Sequence, residues 1–323
     1  MDWHGKSIRM GAWVIALAVV LRLWTAGAFE TVYAALTSPA VGSFLIYLET
    51  GRVVKPLPES PTEPTASPTQ PPATTPPARP CFSPEEEDLI YVWGTGKSVD
   101  PEEFLKLPLE MDLSGEAPTV LILHTHATES YTQTDGFTYR ESSPYRTLDT
   151  EHNVVAMGTY LASLLEAEGI RVIHDTTLHD YPEYTGAYYR SEDAIEGYLA
   201  EYPGLFLVLD LHRDSAAKAD GGELDTSANA FGQESAQLMF LMGTDYDSWR
   251  ENMNLAVKLT ALLERNHPGI TRGILTRGGD YNQYLTPGTL LVEVGGAGNT
   301  QPEAMVAIRA LAEAILQLRH GAE

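Results

Sequence analysis

Between residues 56 and 80 a proline falls at Pro56, Pro58, Pro61, Pro64, Pro68, Pro71, Pro72, Pro76, Pro77 and Pro80, among Thr, Ser, Glu and Ala. Proline lacks a backbone N–H and holds φ fixed, so such a run builds neither a helix interior nor a sheet. It favours extended polyproline II, a solvated and semi-rigid spacer. The chain therefore divides into residues 1–52, a Pro/Thr-rich linker over 53–82, and residues 83–323, which suffice for one large core. Fully extended, the proline run would reach on the order of 75 Å at about 3.1 Å per residue.

The segment before the linker carries Lys6 and Arg9, then an apolar stretch over 10–29 interrupted by Arg22. Positive residues ahead of an apolar run place the N-terminus inside and the remainder outside. Two readings compete. A cleaved signal peptide would use 13–21 as its apolar core and Ala26-Gly27-Ala28 as a small-residue cleavage site. An uncleaved anchor would use about 20 residues, the length that a bilayer core requires, with Arg22 snorkelling to the outer interface. A second apolar stretch over 31–48 follows at once and favours a single N-terminal membrane anchor. Either way the large domain is expected on the outer side of the membrane.

The formal net charge of −23 argues against a nucleic-acid partner, since phosphate binding is driven by Lys and Arg. Cys81 stands alone, so no internal disulfide forms and no cysteine cluster can hold a metal. Any metal site must be built from His and carboxylates.

Beyond Cys81 the pattern becomes globular. Apolar, β-branched runs over 119–123, 170–173, 205–209, 238–242 and 289–294 predict strands. Val154, Met157, Leu161, Leu164 and Leu165 share one helical face over 153–168, and Gly169 closes that helix. Further helices are predicted over 191–201, with Ser191 as cap, over 252–265 and over 302–318. Strands alternating with helices, both sheet faces apolar, indicate an α/β three-layer sandwich with a largely parallel sheet.

In open α/β sheets, ligands bind beyond the carboxyl ends of the strands. Three predicted strands end in reactive groups. The first leads into His124-Thr125-His126 and Glu129, the second into Asp210-Leu211-His212-Arg213-Asp214, the third into Glu293-Val294-Gly295-Gly296. His126 and Glu129, three apart in a turn, can converge on one ion. Adding His212 gives two imidazoles and a carboxylate, the set of a hydrolytic zinc with a position left for water. Glu293 is then a free carboxylate on another strand, suited to general base catalysis. His124 has nearly the same claim as His126, because alternation along a strand can point both the same way. The tyrosines Tyr181, Tyr184, Tyr188 and Tyr189 either line a glycan groove or pack on the core. No Ser lies in a G-x-S-x-G elbow, and Gly295-Gly296-Ala297-Gly298 lacks the lysine of a phosphate loop.

These residues resemble those of the stage II sporulation protein P family. The resemblance runs through 120–126 with Glu129, Ser130 and Tyr131, then 146–149 with 153–158, then 210–214, Asn282-Gln283, and 291–295 with Asn299. It covers roughly residues 85–318 and extends to the N-terminal segment, including 44–52. It implies a zinc-dependent N-acetylmuramoyl-L-alanine amidase with a fold similar to zinc carboxypeptidases, acting on peptidoglycan during forespore engulfment. Implied partners are a lytic transglycosylase (stage II sporulation protein D) and a membrane protein (stage II sporulation protein M). It carries over His126 and His212 as ligands and Glu293 as base, with Asn282 and Gln283 at the substrate. In related amidases the ligand carboxylate opens the helix after the first strand, which makes Glu151 a rival to Glu129. Arg213 is the candidate for holding a substrate carboxylate or the developing oxyanion, with structural pairing to an Asp as its other reading. A zinc peptidase cutting stem peptides or cross-links, and a wall-binding scaffold without activity, are the competing functions.

Overall fold

The computed structural model describes residues 79–218 and 221–322, which fall in one compact unit, Thr75–Glu323. The expected anchor over 1–52 and most of the linker lie outside the described residues. Among the described residues no helix is long and apolar enough to cross a membrane.

After a short 3-10 helix, Pro84–Leu89, come β1 (Val92–Gly94), α1 (Pro101–Leu105), β2 (Val120–Leu123), α2 (Val154–Ala167), β3 (Val172–His174), α3 (Ala187–Glu201) and β4 (Leu207–Asp214). A hairpin of β5 (Ala228–Ala230) and β6 (Gln233–Ser235) follows, then β7 (Leu238–Gly243), α4 (Trp249–Asn266), β8 (Thr271–Arg277), β9 (Thr289–Gly296) and α5 (Gln301–Leu318). The main sheet has the order β1-β8-β7-β9-β4-β2-β3. Every neighbouring pair runs parallel except β7 and β9. The sheet is thus mixed and mostly parallel: two parallel halves meet antiparallel at that one joint.

The helices sit where the apolar alternation of the strands puts them. Val120 and Ile122 of β2, with Leu207, Leu209 and Leu211 of β4, pack into one core with α2, α4 and α5. Leu121, Leu123 and Val208 point the other way and meet Ile195 of α3. α2, α4 and α5 cover one face, with α1 packed on α4, and α3 lies on the other. Asn153 starts α2 by accepting a hydrogen bond from the Val155 N–H, and Thr300 with Glu303 forms a capping box on α5. Contrary to the sequence expectation, Ser191 does not cap α3. The helix begins at Ala187, after Gly186 in the left-handed region, and Ser191 is buried inside it, bound to Thr125 and Asn282. The β5–β6 hairpin, unmarked by any turn dipeptide, turns at Phe231 and Gly232, both at positive φ.

His124 follows β2 on the α2 side of the sheet. Its Nδ1 meets the Leu211 carbonyl at 3.0 Å and its Nε2 meets His174 Nε2 at 2.9 Å. Burial, then the neighbouring His174, pushes His124 down to about 3, so it is uncharged. Gly158 of α2 lets the helix close on this pair: a Cβ there would stand 2.5 Å from both Nε2 atoms. Gly158→Ala should therefore destabilise the domain. Helix propensity would gain about 1 kcal/mol, but overpacking typically costs about 1–3 kcal/mol. Urea unfolding should show a net loss of about 1 kcal/mol. A variant more stable than the parent would refute the close-approach account.

Candidate metal centre

The functional side chains collect at the carboxyl ends of β2, β4 and β9, on the α3 face. β4 is regular up to His212, so Asp210 and His212 both follow Val208 onto that face. β9 pairs with β4 in parallel register, and His212 stands opposite Glu293. β2 ends at Leu123, and the turn that follows carries His126 and Glu129, closed by the Glu129 N–H to the His126 carbonyl at 3.1 Å.

The structure brings His126, Glu129 and His212 together, their donor atoms all within 4.8 Å of one another. Glu129 Oε1 lies 3.6 Å from His126 Nδ1, and Oε2 lies 3.5 Å from His212 Nδ1. Both separations are long for a hydrogen bond. They match the spacing of roughly 3.4 Å between donors that share a tetrahedral zinc at bonds of about 2.0–2.2 Å. Two imidazoles thus turn the same nitrogen toward one carboxylate. The other nitrogen of His212, Nε2, lies 2.9 Å from Asp210 Oδ1, though without hydrogen-bond alignment. Asp210 is held in turn by the Thr125 N–H at 2.7 Å and the Thr125 hydroxyl at 2.6 Å. A carboxylate behind a histidine fixes its tautomer and raises its basicity as a ligand. By donor type and spacing, these residues fit a zinc ion.

The electrostatics agree. Burial works against charge on both Glu129 and His212. Even so, its histidine neighbours hold Glu129 well below the usual carboxylate range, while Asp210 and Glu129 hold His212 well above the usual imidazole range. Glu293 differs: burial, with the charges of Glu129 and Asp214 added, raises it above the ordinary range. Its Oε2 is buried and has no hydrogen-bond partner. Further along the strand ends, Arg272 binds Asp214 at 2.8 Å.

Several sequence expectations need correction. The structure does not bring the alternate ligand His124 to the centre. It lies one residue after Leu123, on the opposite face, with both nitrogens engaged. Glu151, the other alternate, clusters with Asp149 and His152 on an exposed loop instead. Arg213 is buried and points into the loops: its guanidinium donates to the carbonyls of Ser130 at 2.9 Å and Tyr145 at 2.8 Å. It touches the centre only through its backbone N–H, 3.1 Å from Glu129 Oε2. Gln283 has no free end for a substrate, accepting from the Gly243 N–H and donating to the Leu241 carbonyl. Asn282 lies on the wall of the adjoining cleft, its amide tied to Tyr188 and Ser191.

Sequence reasoning missed the role of Arg146. Its guanidinium bridges Glu129 at 3.1 Å and Asp180 at 2.7 Å, and lies 4.9 Å over the Tyr184 ring. Tyr184 in turn stacks on His126 with ring centroids 4.6 Å apart, and Tyr188 meets the same imidazole edge-on. The only signal was the place of Arg146 in the 146–149 motif.

The family described as Stage II sporulation protein P matches residues 62–316. The chain belongs to the stage II sporulation protein P family. The Stage II sporulation protein P of Bacillus subtilis (strain 168) is 30% identical over 221 residues, 65% of this chain and 53% of that protein. The chain thus spans about half the length of this curated family relative. Among solved structures, the N-acetylmuramoyl-L-alanine amidase AmiC2 of Nostoc punctiforme gives a TM-score of 0.36 at 15% identity, covering 63% of this chain and 98% of that one. The N-acetylmuramoyl-L-alanine amidase from Clostridium difficile 630 gives 0.37 at 12% identity, covering 63% and 97%.

Two outcomes follow for metal content. Glu129→Gln should lose stoichiometric zinc while Glu151→Gln keeps about one ion per chain, read by atomic emission on folded protein. The reverse result would make Glu151 the ligand. Asp210→Asn should keep the fold and weaken zinc about 10- to 100-fold in competition with a chromophoric chelator. Unchanged affinity would remove Asp210 from the centre.

Proposed function

We propose that this chain is a zinc-dependent N-acetylmuramoyl-L-alanine amidase that hydrolyses peptidoglycan during sporulation. The observation that carries the reading is the pairing of a two-histidine, one-carboxylate cluster with an unpartnered buried carboxylate, Glu293, opposite His212 on the next strand. Family membership supports the setting. The residues before the linker support placement of the domain outside the cytoplasmic membrane, held there by residues 1–52 and spaced from it by 53–82.

His126, Glu129 and His212 would hold the ion, and Asp210 would keep the His212 ring oriented. Zinc, when bound, would supply Lewis acidity for the attacking water and the scissile carbonyl. Glu293 takes a proton from the attacking water at its free carboxylate oxygen and passes it to the leaving amine, the amino group of the stem peptide. Burial suits Glu293 to this work, because a carboxyl group of raised pKa holds a proton more readily between the two transfers.

Glu293→Gln should bind zinc as the parent does and release stem peptides from purified sacculi about 10²- to 10⁴-fold more slowly. Parental activity should fall as pH drops through about 8, where Glu293 takes up a proton and can no longer act as base. Mass spectrometry of the products tests the bond. Intact stem peptides with a free alanine amino group identify an amidase, whereas fragments cut within the peptides identify a peptidase. A zinc-replete Glu293→Gln variant of parental rate would assign the base elsewhere.

A further inference from the structure

Beside His126 opens a cleft of ≈ 930 Å³. Its walls are tyrosines: Tyr184, Tyr188 and Tyr189 from α3 and the loop before it, Tyr281 and Tyr284 from the turn after β8. Three of them are well exposed, Tyr189 at 75%, Tyr184 at 55% and Tyr284 at 41%. Leaving that much aromatic surface in water is unfavourable unless a ligand covers it.

The charge of the lining is one-sided. Glu192 and Asp280 stand in it, and no Lys or Arg does. Neither carboxylate makes an ion pair among the described residues. Glu192 accepts from the Tyr284 hydroxyl, and Asp280 accepts from the Asn282 N–H at 3.1 Å. The wall is also set with some strain. Tyr281 and Asn282 both lie in the left-handed region, at φ 51° and 60°, and Asn282 is pinned there by Tyr188 and Ser191. Tyr281 then meets Tyr188 at 6.0 Å between centroids.

Aromatic faces combined with unpaired carboxylates attract an organic ammonium, through the ring quadrupole and through direct charge. A carboxylate placed between Glu192 and Asp280 would be repelled. We propose that this cleft is a subsite for a primary ammonium on the stem peptide, the free side-chain amine of its diamino acid. The inference rests on the amidase reading for its substrate. The cleft begins at His126, so a stem peptide whose amino end lies at the centre can extend along it and bring a later side chain to Glu192 and Asp280.

The test needs no turnover. A soluble stem tripeptide ending in a diamino acid, and the same peptide N-acetylated on the side-chain amine, are titrated by calorimetry into the full-length chain. Acetylation should weaken binding at least tenfold. In the double variant Glu192→Gln/Asp280→Asn, both at cleft positions where neutral isosteres fit, the two peptides should bind within twofold of each other. Equal binding of both peptides to the parent, discrimination that survives in the double variant, or no binding of the free peptide would each overturn the subsite. Binding of a peptide-free disaccharide in place of the tripeptide would overturn it too, giving the tyrosines to the glycan. Failure here and failure of the amidase reading are separable. A chain that cleaves sacculi but ignores acetylation loses only the subsite. One that discriminates the peptides but releases none from sacculi loses only the enzyme.

Discussion

The buried carboxylate of Glu129 has to be solvated from within the protein. Stripping a carboxylate of water costs several kcal/mol unless partners replace that water. Here they come from separate stretches of chain: the Arg146 guanidinium, the Arg213 N–H, and the imidazoles of His126 and His212. Each partner brings its own support. Arg146 also binds Asp180, which accepts from the N–H and hydroxyl of Thr128, so the loops around 128, 146 and 180 close on one another. Asp210 and then Glu129 hold His212 well above the usual imidazole range.

Strand alternation decides which groups can reach that place. On β4, Asp210 and His212 share a face, and Leu211 between them enters the core beneath α2. The pattern Asp-Leu-His is legible in the sequence for this reason. Glu293 is legible too, as a carboxylate inside an apolar run. For His124 and His126, alternation along a continuing strand suggested a shared direction, and that inference failed for a specific reason. The strand stops at Leu123, His124 keeps the parity of Ile122, and the turn re-aims His126 toward β4.

Other features had no periodic signature to read. The direction of β7 depends on its pairing with β9, and apolar runs look alike in either direction. Arg213 and Gln283 sit in motifs that suggest contact with substrate, yet both are absorbed by backbone groups, Arg213 by the loops at Ser130 and Tyr145 and Gln283 by the end of β7. Loops of this kind need their carbonyls and N–H groups satisfied when buried, and long polar side chains satisfy them. A sequence shows that such a residue is polar and central, not which of two polar tasks it performs. Arg146 illustrates the opposite case, a loop arginine whose partners, Glu129 and Asp180, are far apart in the chain and converge only in the fold.

The two sides of the centre are built for different purposes, and His126 is where they meet. On the strand side, Glu129, Asp210 and His212 are each under 5% exposed, and the buried Thr125 and Arg213 hold Asp210 and Glu129. A ligand set held this way keeps its geometry whatever occupies the surroundings. On the cleft side, exposed tyrosine rings can shift to fit a substrate at little cost to the core. His126 belongs to both: it turns Nδ1 to Glu129, is the most exposed of the three candidate ligands, and takes Tyr184 on its face and Tyr188 on its edge. Whatever presses on those tyrosines presses on a ring that also faces Glu129 and the candidate ion site. A ligand in the cleft and a metal at the centre would therefore be coupled through one imidazole, and by linkage the coupling would act equally in both directions.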